Sequence, residues 1–311
     1  MLEFYRAIWR ATWRRQIVLI VLSLAVAALA AAPLKFQQEI INHMVAGGVW
    51  TTLVWLCAGF LGVVVLSGLL KFASNYLVSR SGELAVRYIR DRLYTRAVDG
   101  NTAAPIPRGT LVTILAAESE GVGTFAGTAI ATPVMQLGTL ASVVSFMAAS
   151  SWILGAIALG VVLPQMIIVL VMQPRINREV KRRTQRLRRA SDQISMSDLS
   201  QVEQQVVDDF DEVMRIRFRI FRLKLSVKLL QSVLSACGMA AVLLIGGWYV
   251  IEGRTDTGTV VAALAGLARI EGPWRELVAF YRLASTMRVS YELIVRAVTS
   301  DPPAATNFER P

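Results

Sequence analysis

Six long apolar segments alternate with polar ones along the chain. A helix of about 20 residues crosses the hydrocarbon core of a bilayer, and each segment is close to that length. The predicted spans are Ile17 to about Phe36, Leu53 to Leu70, Thr132 to about Ala149, Ile153 to about Met172, Leu229 to Val250 and Thr259 to Leu277. Arg269 and Glu271 interrupt the last of them. The pattern predicts an all-α integral membrane protein with six transmembrane helices.

The two long polar segments, about 71–131 and 174–228, keep a helical pattern of their own. Apolar residues in the second recur every three or four positions, the spacing of one face of an α-helix. They are Val202, Val206, Phe210, Met214, Phe218, Phe221 and Leu225. In the first, the run GNTAAPIPRGT contains two prolines and two glycines, which break a helix. We predict that each segment is an arm of two helices joined by a tight turn, reaching roughly 30 to 37 Å beyond the membrane.

Basic residues fall almost entirely on one side of this arrangement. Of 33 Lys and Arg residues, only Lys35 and Arg254 lie in segments assigned to the other side. Because positively charged loops stay in the cytoplasm, both termini and both arms are predicted to be cytoplasmic. We expect the bilayer to be a plasma membrane, namely a bacterial inner membrane. The net charge of +11 does not indicate nucleic-acid binding, since the dense basic run from Pro174 to Asp192 contains no aromatic residue and no reader motif accompanies it.

The first apolar segment has a second interpretation as a cleavable signal peptide, because LAAAP looks like a small-residue cleavage site. Two observations favour an uncleaved helix. The region before the apolar run is long and contains Trp9 and Trp13, and tryptophan is common at membrane interfaces. Cleavage would also leave five spans and reverse the sidedness that the charges indicate.

Residues with enzymatic or metal-binding chemistry are scarce. Cys57 and Cys237 lie inside apolar segments and are predicted to pack there, and with His43 as the single histidine no His/Cys metal site is expected. The sequence contains no G-x-x-x-x-G-K-[ST] phosphate loop. We therefore expect that this chain is not an enzyme by itself and holds no cofactor.

Short motifs in a fixed order resemble the transmembrane domain of ABC exporters over nearly the whole chain. GGWYVIEGRTDTGTVVAAL, with Gly253 and Gly258, is similar to the turn between that family's spans five and six, and EGPWRELV is similar to its Gly-Pro-x-x-x-Leu element. STMRVSYELI resembles the stretch that precedes the ATPase domain in fused exporters. RYIRDRLYTRAV and TLVTIL resemble the first arm and its coupling helix. In APLKFQQEIINHMV, Asn42 stands where the family usually has Asp.

This resemblance implies a type IV exporter body over residues 1–298 and a tail or linker over 299–311. It also implies a dimer with a second membrane subunit, and a partner ATPase subunit or domain that binds ATP and Mg and docks on the tips of the arms. The docking residues assigned by resemblance are Pro107, Gly109, Thr110, Leu111, Thr113, Ile194, Ser195, Met196 and Ser197. The first arm departs from the family at Thr113-Ile114 and Glu118, where Ser-Arg and Asp are common.

Four polar residues in or near the apolar spans are candidates for the substrate path, namely Gln136, Gln165, Arg269 and Glu271. Polar groups inside a membrane are costly and often functional. The glutamines have an alternative role in hydrogen bonding between helices. For the two charged residues, an ion pair to another helix or a position near the cytoplasmic interface is the alternative.

Three functions are open to such a chain. The first is the permease subunit of an ATP-driven exporter with its ATPase on a separate polypeptide. The second is a fragment of a fused exporter whose ATPase domain follows Pro311. The third is a membrane scaffold or sensor that keeps an exporter-like body without transport. Lipid, peptide, drug and polysaccharide-precursor substrates all remain compatible with the sequence, as do a homodimer and a heterodimer.

Overall fold

The computed structural model describes residues 2–98, 116, 118–196 and 199–298, and this part of the chain is helical almost throughout and contains no strand. Short turns separate most of the helices. The elements are α1 (Leu2–Leu29), α2 (Ala32–Val45), α3 (Trp50–Val98), α4 (Ser119–Ser150), α5 (Trp152–Met196), α6 (Leu199–Ala241), a π-helical turn (Val242–Gly246), α7 (Gly247–Ile251) and α8 (Thr257–Val298). The predicted all-α class is confirmed.

Five helical stretches among these residues are long and apolar enough to cross a membrane. They are Arg15–Val45, Trp50–Thr95, Ser119–Ser150, Trp152–Leu187 and Val207–Ile251. They correspond to the first five predicted spans. The sixth predicted span lies in α8, where Arg269, Glu271, Arg275 and Glu276 place four charges within eight residues. That crossing stays a prediction.

Local sequence explains where the helices end. Between α1 and α2 the chain turns at Ala30 and Ala31, and Pro33 follows at the start of α2, where a missing N–H costs little. Gly47 (φ 69°) and Gly253 (φ 70°) occupy left-handed backbone conformations in the turns after α2 and α7. Glycine adopts that conformation without the steric cost of a Cβ, so both turns depend on it.

Four prolines lie well inside long helices. They are Pro133 in α4, Pro164 and Pro174 in α5, and Pro273 in α8. An early-helix position, where proline is tolerated, would be an alternative to a kink for Pro133 and Pro164. That alternative is wrong, because each lies more than two turns into its helix. Each proline removes one backbone hydrogen bond from its helix.

Packing divides the chain into two compact units, Met1–Phe146 with Thr257–Pro311, and Met147–Asp256. In the first unit, Phe125 is fully buried and stacks on Phe280 with ring centroids 5.6 Å apart. Two glycines let α3 and α4 approach closely there, since a Cβ at Gly127 would strike the backbone of Val78 and Gly82. The first unit thus contains α1, α2, α3, most of α4, and α8.

The second unit consists chiefly of α5 packed along α6. The α6 residues that face inward are Val213, Ile216 and Ile220, whereas Phe218 is 57% exposed. The apolar stripe predicted from the sequence therefore does not form the packed face. Its described members Phe210, Met214, Phe218, Phe221 and Leu225 are all exposed in this chain. The side chains of Val202 and Val206 are outside the described part.

Candidate functional site

Polar side chains on three helices of the first unit line two neighbouring cavities. The larger, about 490 Å³, is formed by faces of α3, α4 and α8, and the smaller, about 390 Å³, also includes residues of α1 and α2. Lys71, Thr139 and Pro273 line both cavities, which are therefore contiguous. This polar cavity is the candidate site.

Two of the four predicted substrate-path residues lie in the polar cavity. Gln136 lines the larger part, and Arg269 lines the smaller part. Arg269 is half-buried and donates a hydrogen bond from Nη1 to the backbone oxygen of Ala30 (3.3 Å). Ala30 sits at the break between α1 and α2, where helix ends leave carbonyls without helical partners. Arg269 is thereby held against the wall of the cavity.

The other two predicted residues lie elsewhere. Gln165 belongs to the second unit, is only 3% exposed and donates from Nε2 to the hydroxyl of Ser235 (3.0 Å). Gln165 therefore forms a hydrogen bond between helices, which is the role predicted from the sequence as the alternative to lining the substrate path. Glu271 is exposed and lines neither part of the polar cavity.

Sequence reasoning missed several cavity residues. Lys71 and Asn75 lie on one face of α3, and Arg275 and Glu276 follow Pro273 on α8. From its position in the sequence, Lys71 marks only the start of the first polar segment. A signal was present, because Ser67, Lys71 and Asn75 recur at a spacing of four, which places three polar groups on one helical face.

A second polar contact joins α2 to the start of α8. Asn42 accepts a hydrogen bond at Oδ1 from the backbone N–H of Gly258 (2.8 Å), and Gln38 donates from Nε2 to the hydroxyl of Thr259 (2.7 Å). The N–H of Gly258 is one of the first donors of α8 and has no partner within the helix. Asn42 therefore acts as an N-cap supplied by another helix.

Glycine is required at the centre of this cap. A Cβ at Gly258 would overlap the backbone oxygen of Gln38 and the side chain of Asn42. Gly258 therefore lets the end of α8 approach α2 closely enough for both hydrogen bonds. We call these four residues, Gln38, Asn42, Gly258 and Thr259, the α2–α8 cap.

The family model for the ABC transporter transmembrane region matches residues 16–272. This match covers most of the chain. The chain belongs to that family. A comparison with curated proteins found no match. The resemblance inferred from the motifs is thus confirmed, and the protein is an integral membrane component of the ABC transporter type.

In this ABC transmembrane region, one arginine connects α5 and α6 beyond their apolar parts. Arg186 forms ion pairs at 3.0 Å with Asp209 from Nη1 and with Glu212 from Nη2. The Asp209 side chain is largely buried, whereas Arg186 and Glu212 are about a third exposed. One guanidinium therefore bridges two carboxylates one helical turn apart on α6.

The residues assigned to ATPase docking cannot be placed in full. Pro107, Gly109, Thr110, Leu111, Thr113 and Ser197 lie outside the described residues. Ile194, Ser195 and Met196 form the end of α5, and their side chains are outside the described part. All nine assignments stay predictions in this ABC transmembrane region.

Cys57 and Cys237 were expected to pack inside apolar segments. Both thiols are free and exposed in this chain. The expectation was wrong because an apolar segment of a membrane helix need not face other helices, since lipid is as apolar as a leucine side chain.

Proposed function

We propose that this chain is the permease subunit of an ATP-driven exporter. It forms the substrate pathway and couples it to an ATPase subunit or domain on which ATP and Mg bind. The observation that supports this most is the family match over residues 16–272 together with helices much longer than a bilayer is thick. The chain itself hydrolyses no ATP in this proposal.

Helix lengths support the two arms. α3 has 49 residues and α5 has 45, so each extends roughly 70 Å at 1.5 Å per residue, against a hydrocarbon core of about 30 Å. The part of α3 after the predicted span, from Lys71 to Val98, would project about 40 Å. Arg186 braces the second arm by tying α5 to α6.

The distribution of charge and tryptophan supports the orientation. Lys and Arg crowd the parts of α3, α5 and α6 that form the arms, as the positive-inside rule requires for cytoplasmic segments. Trp50, Trp55, Trp152 and Trp248 lie near the opposite ends of the spans and are all exposed, as in an interfacial aromatic belt. We therefore propose that both termini are cytoplasmic, and the membrane in this proposal is a bacterial inner membrane.

The exposed stripe of α6 supports a second membrane subunit. Phe210, Phe218 and Phe221 are each more than 45% exposed on a segment that this proposal places in water. A large apolar surface there would be covered by another protein surface. A second transmembrane subunit, identical or related, would also enclose the substrate pathway.

The first test is purification of the tagged full chain from its native membranes in mild detergent. Partners would be identified by mass spectrometry, and ATP hydrolysis would be measured in the eluate. We expect a stoichiometric ATPase that is lost on Gly109→Pro at the predicted apex. The matched control is Gly62→Ala, because a Cβ at Gly62 meets no other atom within 4 Å.

Recovery of the chain without an ATPase, and without ATP hydrolysis, would refute a split exporter. A reading frame that continues past Pro311 into an ATPase domain would then identify a fused exporter. A non-ATPase partner would instead identify a membrane scaffold or sensor.

A further inference from the structure

The polar cavity of the first unit carries an excess of positive charge. Lys71, Arg269 and Arg275 line it, against one acidic residue, Glu276. Within the described part of the chain, none of these four forms an ion pair, and Arg269 has only the carbonyl of Ala30 as a partner. Three cations against one carboxylate give the cavity a positive electrostatic potential, so an anion in the cavity would be bound favourably.

The cavity also has an apolar end. Val26, Pro33, Val64 and Val143 line its smaller part, whereas the larger part carries Asn75 and Gln136. A Cβ at Gly68 or Gly272, both in the lining, would meet nothing within 4 Å, so these glycines leave open space. The smaller part therefore offers apolar surface beside Lys71 and Arg269, and the larger part offers further hydrogen-bonding groups, a combination that suits an amphiphile.

Two of the three cationic groups, Lys71 and Arg275, lie near one edge of the predicted bilayer. Lys71 directly follows the second predicted span, which ends at Leu70, and Arg275 is close to the end of the last predicted span at Leu277. In the proposed orientation both ends face the cytoplasm. The charged end of the cavity is thus at the depth of the headgroups of the inner leaflet.

We propose that the polar cavity binds an amphiphile with an anionic, phosphate-type head, taken from the cytoplasmic leaflet, as the substrate class of this transporter. The head contacts Lys71, Arg269 and Arg275, and the chain of the amphiphile lies toward Val26 and Val143. This inference rests on the proposed function, since it treats the cavity as part of the transport pathway.

Binding to the purified full chain, without any ATPase, tests the inference. The probes are phosphatidate and phosphatidylcholine with the same acyl chains, and bound lipid is counted by native mass spectrometry. We expect phosphatidate to bind more tightly, and Lys71→Gln or Arg275→Gln each to weaken it about tenfold, the effect of losing one charge-assisted hydrogen bond. The matched control is Arg80→Gln, which removes a cation of α3 from a separate cavity, and it should change binding little.

A steric pair tests the same site without changing charge. Gly68→Phe would fill the cavity and lower phosphatidate binding, whereas Gly62→Phe would place the same ring on the same helix away from it. Competition by glycerol phosphate distinguishes a lipid from a water-soluble phosphate, and we expect none at equal concentration. Equal effects of Arg80→Gln and Lys71→Gln, equal binding of the two lipids, or full competition by glycerol phosphate would each overturn the inference.

The two proposals fail separately. Charge-dependent lipid binding by a chain that recruits no ATPase would support the site and overturn the exporter. An ATPase complex that binds both lipids equally well would support the exporter and overturn the anionic substrate.

Discussion

Replacing Gly258 by alanine adds only one methyl group, but it should weaken the α2–α8 cap strongly. The new Cβ would overlap the backbone oxygen of Gln38, which belongs to α2 and cannot rotate away. Relief requires the two helices to separate, which lengthens the bonds from Gly258 to Asn42 and from Gln38 to Thr259. Overpacking costs about 1 to 3 kcal/mol, and each hydrogen bond about 1 kcal/mol. We expect a loss of roughly 3 to 5 kcal/mol in the free energy of unfolding.

Reversible unfolding in mixed detergent micelles, followed by circular dichroism, would measure this loss. Gly247→Ala is the matched control, because a Cβ there meets nothing within 4 Å and alanine is the better helix former by about 1 kcal/mol. The control should therefore be neutral or stabilising. Equal stability of the two variants would refute the close approach on which the cap depends.

The Asn42 side chain gives a second readout of the same contact. Asn42→Asp keeps the acceptor and adds a negative charge at the N-terminus of α8, which should stabilise by about 0.3 to 1 kcal/mol. Asn42→Leu removes the acceptor and should cost about 1 kcal/mol. A reversed order of these two variants would show that capping is not what Asn42 contributes.

Three further substitutions, two in the second unit and one in the first, test packing by the same unfolding assay. Arg186→Gln should lower the free energy of unfolding by about 1 kcal/mol through its two ion pairs, and Arg182→Gln, which breaks a single ion pair with Glu179, by less. Equal losses would argue against the bridge. Gln165→Leu should cost about 0.6 to 1 kcal/mol, and no loss would show that its hydrogen bond contributes nothing. Gly127→Ala should cost about 1 to 3 kcal/mol by separating α3 from α4, and an effect no larger than that of Gly62→Ala would contradict the close approach.

The positions of five apolar spans could be predicted because length and composition decide them. A run such as Leu53–Leu70 has no stable place except a membrane or a core, and α3 contains it entirely. The same argument is weaker for α8, because its charged residues lower the mean hydropathy of the segment. Mean hydropathy does not take into account that Arg269 and Arg275 line a cavity.

Which face of a helix packs could not be predicted in this way. On α6 the exposed Phe218 and the buried Ile216 are both apolar, so periodicity alone does not separate them. The helix that packs against α6 decides which of its faces is buried. That helix is α5, and the buried face carries Ile216 and Ile220. Similarly, the pairing of Asn42 with Gly258 spans 216 positions and leaves no local pattern. Only the resemblance drew attention to both residues.

Pro273 divides α8 into a shorter part that begins at the α2–α8 cap and a longer part that follows the proline. The cap holds the helix at its first residues, while about 25 residues follow the proline, a length of roughly 37 Å. Proline removes the hydrogen bond that would tie it to the carbonyl of Arg269, so bending is easiest there. A bend of about 10° would displace the far end by roughly 6 Å. A small adjustment beside the cavity is thereby amplified along the helix.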